Sequence, residues 1–147
     1  DESDNSFVVY FRLAAGSDDT AAEDILWQVF CEDPNGGGAG PPPIPSTDRL
    51  AGEFDDTAGA GGTSIIFALD DANIPPVAQA TAEAGIAYRV SLDTNDENEA
   101  VPGTNDCSPQ HLFDENIKAS LYVHVVGGGS TFDILKVNDA SRGAVVV

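Results

Sequence analysis

Short apolar runs, each cut off by glycine, proline or acidic residues, constrain this chain more than any other feature. Residues 6–13 (SFVVYFRL), 63–69 (TSIIFAL), 86–92 (IAYRVSL), 117–126 (IKASLYVHVV) and 131–137 (TFDILKV) are strand-length and rich in β-branched and aromatic side chains. In the first run Phe7, Val9, Phe11 and Leu13 share one face. Val8 and Tyr10 make the other face apolar too, which predicts cover on both sides. Ile86, Tyr88, Val90 and Leu92 alternate in the same way. Three glycines at 127–129 supply a hairpin turn between the last two of these runs. Residues 49–55 form a shorter strand candidate, 57–62 a glycine-rich turn, and 142–147 a closing apolar strand.

Residues 20–31 (TAAEDILWQVFC) carry two periodicities. Thr20 and Glu23 have capping-box spacing, and Ala22, Ile25, Leu26, Val29 and Phe30 mark a helical stripe. Ile25, Trp27 and Val29 also alternate as a strand. The β-rich neighbours favour a strand from Ile25. One short helix is expected at 76–84, opened by Pro75 and Pro76 and closed by Gly85. These elements predict an all-β chain: an antiparallel β-sandwich, Ig-like or jelly-roll-like, of about 7–8 strands with one short helix. The alternative is α+β, with residues 20–30 helical and a β-α-β unit over 63–92.

At 147 residues the chain reads as one domain spanning 1–147, long enough to bury a sizeable core. Residues 33–48 (DPNGGGAGPPPIPSTD) read as a flexible and then stiff surface loop, and 93–114 as a long acidic loop. Cys31 and Cys107 are an even pair set among turn residues. The chain opens at Asp1 and contains no methionine, so it reads as processed and secreted, and the cysteines as one disulfide.

Charge sets the environment. Twenty-five acidic residues oppose six basic ones, for a net charge of −19. Spread over a sphere of this size, each like pair costs about 0.2 kcal/mol in unscreened water, and the sum reaches tens of kcal/mol. Folding stabilities are only about 5–15 kcal/mol. Molar salt shortens the Debye length to ~3 Å and removes most of that repulsion. A halophilic setting, divalent cations, or both are implied. Nucleic acid is excluded as a partner because six scattered cations form no basic patch. No apolar run reaches the ~18 residues of a membrane span.

Motifs for catalysis are lacking. His111 and His124 stand apart from any nucleophile motif, and the glycine-rich loops lack phosphate-binding spacing. The reading is therefore of a non-enzyme with no required cofactor. Ca²⁺ is the one ion the sequence favours. Residues 93–99 (DTNDENE) follow a strand and place Asp93, Asn95, Glu97 and Glu99 at alternate positions, the hard oxygen ligands Ca²⁺ takes. The segment starts like an EF-hand loop but has Asn98 where glycine belongs and Thr104 where the bidentate Glu belongs. Two classes remain. One is an extracellular structural subunit of a filament, surface layer or virion shell, self-associating as a homopolymer. Its assembly would use β-strand addition by a terminal apolar strand bearing Phe7, Val9, Phe11 and Leu13. The other is a secreted calcium-dependent binding module for carbohydrate.

Overall fold

The computed structural model describes residues 6–34, 41–42, 45–59, 62–94 and 106–139. In chain order the elements are β1 (Ser6–Arg12), β2 (Thr20–Ala21), a 3₁₀ turn (Ala22–Asp24), β3 (Ile25–Asp33), β4 (Ser46–Glu53) and β5 (Asp55–Gly59). They continue with β6 (Gly62–Ala68), β7 (Ala78–Gln79), β8 (Thr81–Ala82), β9 (Ala87–Asp93), α1 (Pro109–Asp114), β10 (Lys118–Val125) and β11 (Ser130–Lys136). One sheet runs β1-β9-β6-β5, with β7 added on β6, and the other runs β11-β10-β3-β4. All pairings are antiparallel. The fold is the all-β sandwich expected from the alternating runs. Three strands are two-residue bridges, which leaves eight longer ones among the described residues.

Alternation decides which side chains fill the space between the sheets. From β3 these are Ile25, Trp27, Val29 and Cys31; from β10, Ala119 and Leu121; from β4, Leu50. The facing sheet contributes Phe7, Ile66, Tyr88, Val90 and Leu92. All belong to one buried cluster. Phe11 extends it by packing on Tyr88 and on Phe54, with ring centroids 5.5 and 5.1 Å apart. Each buried side chain of this size contributes about 1.5–3 kcal/mol. The Cys31–Cys107 disulfide forms as expected and is buried, with a sequence separation of 76. No described helix is long and apolar enough to cross a membrane.

Several local expectations are corrected. Residues 76–84 form no helix. The Val77 N–H donates to Asp71 Oδ2 at 2.8 Å, Ala78 and Gln79 pair with β6, and Thr81 and Ala82 pair with β2. The Glu83 and Ala84 N–H groups donate to Tyr88 Oη and Asp19 Oδ1. An isolated helix of nine residues is marginal, and these tertiary bonds satisfy its backbone better. Gly85 sits at φ +80° in a turn before β9 rather than capping a helix. The helix lies elsewhere, at α1 within the acidic excursion. Ser108 caps it by accepting from the His111 N–H at 3.3 Å, and Pro109 occupies its first turn.

Residues 20–24 are a bridge and a 3₁₀ turn with no side-chain cap, so the capping-box pattern is not used. Neither helix of the α+β alternative forms. Asp55–Gly59 is strand where a turn began in the expected pattern. Finally, β1 lies at a sheet edge and is covered on one face only. Val8 and Tyr10 are 52% and 66% exposed. The expected closing strand at 142–147 lies outside the described residues.

Candidate functional site

Three regions hold the residues of interest. The first is β1. It pairs with β9 in its own sheet from Ser6↔Asp93 to Arg12↔Ala87. Phe7 is buried and Val9, Phe11 and Leu13 are half-buried against the core. Among the described residues no strand pairs with its outer edge.

The second region surrounds the disulfide. Strand β3 delivers Cys31 and Asp33, β4 delivers Asp48 opposite Cys31, and the chain before α1 brings Asp106, Cys107 and Ser108. Asp48 is buried, accepting from Ser46 Oγ and the Asp106 N–H, each at 3.4 Å. Burial raises its pKa above the ordinary carboxylate value, and the nearby Asp33 charge adds to the rise. The Asp106 N–H, the Ser46 hydroxyl and His111 oppose it. His111 Nε2 lies 3.5 Å from Asp33 Oδ2, an ion pair when the ring is protonated but too long for a hydrogen bond.

Thr94 and Cys107 are joined twice. Thr94 Oγ1 donates to the Cys107 carbonyl and the Cys107 N–H donates to the Thr94 carbonyl, each at 2.8 Å. Thr94 and Cys107 are thereby held side by side. Asp93 closes β9, whereas Asn95, Glu97 and Glu99 lie outside the described residues. Among the described residues no three His, Cys, Asp or Glu side chains are grouped to hold a metal.

The third region is the outward face of the β11-β10-β3-β4 sheet, which the sequence did not single out. The ladder registers lay its side chains in rows. Arg49, Phe30, Ser120 and Ile134 form one row, and Ala51, Gln28, Tyr122 and Phe132 the next. Glu53, Leu26, His124 and Ser130 form a third. Tyr122 meets Phe30 edge-on at 5.8 Å and Phe132 at 4.9 Å. A groove of about 480 Å³ runs between Gln28, Glu53, Tyr122 and His124, with a second of about 360 Å³ between Gln28, Phe30, Ser120 and Tyr122. His124 Nδ1 is 2.7 Å from Ser130 Oγ across the hairpin. Both residues are exposed, and among the described residues no third group orients the ring.

Only His124, with its face-mates Tyr122 and Val126, is legible from sequence in this region. The rest of the face draws on four strands, and only their register brings its members together. No family model, curated protein or solved structure matches the chain.

Proposed function

We propose that this chain is a structural subunit of an extracellular assembly, a filament, surface layer or shell, whose copies are joined by exchange of β1. The position of β1 carries the reading. It is the first described strand, lies at a sheet edge, and is laddered to β9 alone. A strand so placed leaves its sheet without breaking any other ladder. Inserted beside β9 of a second copy, it regains the same backbone bonds and the same sites for Phe7, Val9 and Phe11. Exchange of an identical element costs little, because every bond the strand gives up in its own sheet has an equivalent in the partner's. Residues 13–19 form the hinge, with Gly16 at φ +86° allowing the chain to turn.

If each copy donates β1 forward and receives one from behind, the contact is head-to-tail and does not close, which yields a linear polymer. Repulsion between bodies of −19 opposes contact, so assembly belongs to high salt or divalent cations. Ca²⁺ at Asp93, Asn95, Glu97 and Glu99 is part of the same proposal, supported by the hard oxygen donors at alternate positions from the end of β9 onward.

A double cysteine variant tests the exchange. Val8 and Ser91 are direct partners across β1 and β9, and both are exposed. In V8C/S91C a strand at home closes an intramolecular disulfide, and an exchanged strand closes an intermolecular one. Oxidation in concentrated protein at molar NaCl should give a ladder of covalent multimers on a nonreducing gel. A single monomer band under those conditions would mean that β1 stays in its own sheet.

A further inference from the structure

We propose that the outward face of the β11-β10-β3-β4 sheet binds an anionic polysaccharide. Its sugar rings lie on Tyr122 and Phe132, and its carboxylate or sulfate groups meet Arg49, Lys118 and Lys136. This surface is separate from β1, and the proposal stands whether or not β1 is exchanged.

Charge placement is the first observation. The chain has six cations against twenty-five carboxylates, yet three of the six face outward on this one sheet. Among the described residues none of the three makes an ion pair. The only two lysines in the chain, Lys118 and Lys136, stand directly opposite each other in the β10–β11 ladder. Like charges opposed across a ladder are destabilising. Continuing the β3–β10 register by one residue brings Glu32 beside Lys118, yet no described carboxylate forms an ion pair with either lysine. Glu32 and Glu53 are the acidic residues on the outward positions of β3 and β4.

The grooves are the second observation. They lie side by side on the face and share Gln28 and Tyr122. Tyr122, Phe132 and Ile134 stay 43%, 52% and 51% exposed, an open aromatic surface. An aromatic face carries negative quadrupole charge and attracts the polarised C–H face of a sugar ring. Gln28, Ser120, His124 and Glu53 surround that surface with amide, hydroxyl, imidazole and carboxylate groups, donors and acceptors suited to ring hydroxyls. Consecutive outward residues along a strand are about 7 Å apart, so four rows span roughly 20 Å. That is an elongated site, suited to several units of a chain rather than one sugar.

A second copy of this protein is the competing occupant, since it too is acidic. Two shallow grooves framed by hydrogen-bonding side chains fit a thin polymer better than the broad surface of a folded domain. Repulsion of a polyanion by the −19 body is confined to a few ångströms in molar salt, where direct contacts with the three cations persist.

The experiment is calorimetric titration of dilute, monomeric protein in 1 M NaCl with three probes: oligogalacturonate, neutral cello-oligosaccharide of matched length, and poly-glutamate. Oligogalacturonate should bind at least tenfold more tightly than either of the others. A sulfated oligosaccharide run in parallel tells which anion is preferred. Y122A and K118Q/K136Q should each weaken binding at least tenfold, with unchanged melting temperatures showing that both variants fold. Equal binding of the neutral sugar or of poly-glutamate would overturn the proposal, as would no binding at all. Loss of self-association in K118Q/K136Q, with glycan binding unchanged, would instead mark the face as an interface between copies.

Discussion

An alanine at position 52 would place its Cβ 2.9 Å from Trp27 Nε1 and 3.1 Å from two indole carbons. Trp27 is fully buried and cannot swing away, so the requirement for glycine comes from packing rather than backbone angle. G52A should lower stability by about 1–3 kcal/mol, the usual cost of overpacking. Trp27 is the only tryptophan, so its emission reports the disturbance directly during a denaturant titration. Asp48 acts in the opposite sense. Burial above all, and then Asp33, raise its pKa in the folded state. Above the ordinary carboxylate value the folded protein therefore holds a proton there that the unfolded chain releases. Its contribution to stability is fully present at low pH and is lost as pH rises through the folded pKa. D48N removes that loss while keeping an acceptor for the Asp106 N–H. The melting-temperature gain of D48N over wild type should grow from pH 3.5 to pH 7, and a pH-independent difference would contradict the raised pKa.

At the scale of elements, β3 carried two periodicities in sequence, and its β-rich neighbours decided for a strand from Ile25; in the structure Ile25, Trp27, Val29 and Cys31 are all buried with half-buried Leu26, Gln28 and Phe30 between them. The misplaced helix had a different origin. The segment at 76–84 has helix-forming alanines but no wide apolar stripe, and partners distant in sequence take up its backbone groups. The true helix carried its signal in Ser108-Pro109, hidden inside a segment dominated by turn-forming residues. The exposed face of β1 was illegible for a third reason. A strand's own residues do not say whether it is central or at an edge, so Val8 and Tyr10 read as covered. The neighbours of β10's outward face were out of reach as well, since Tyr122 meets Gln28 and Phe132 only through two registers. The disulfide ties β3 to the segment before α1 across a separation of 76, worth about 4 kcal/mol by loop-closure entropy. Reduction, or replacing both cysteines with alanine, should lower the unfolding free energy by about that amount, and the m-value should rise because the uncrosslinked unfolded chain is more expanded.

At the scale of the whole molecule, the five described cations all face outward on the sheets. Arg12 and Arg89 face outward on one sheet, and Arg49, Lys118 and Lys136 on the other. Arg89 lies over the Phe67 ring at 5.3 Å rather than beside a carboxylate. Described acidic residues lie both in turns and connections, such as Asp18, Asp19, Asp70, Asp71 and Glu83, and on strands, such as Glu32, Glu53 and Asp133. His111 and Asp33 form an ion pair when the ring is protonated. Where carboxylates are not offset by a close cation, screening by salt reduces the repulsion between them. The melting temperature should climb steadily as NaCl rises from tens of millimolar toward molar. A flat profile would mean that the carboxylates are already compensated where they stand. Screening alone treats Ca²⁺ and Mg²⁺ alike at equal concentration, whereas a site built from Asp93, Asn95, Glu97 and Glu99 does not. Ca²⁺ favours six to eight flexible oxygen ligands, and Mg²⁺ a strict octahedron that keeps its waters. In molar NaCl, where screening is saturated, millimolar Ca²⁺ should still raise the melting temperature and Mg²⁺ should not. Equal shifts from the two ions would leave charge screening as the whole effect and remove the calcium site.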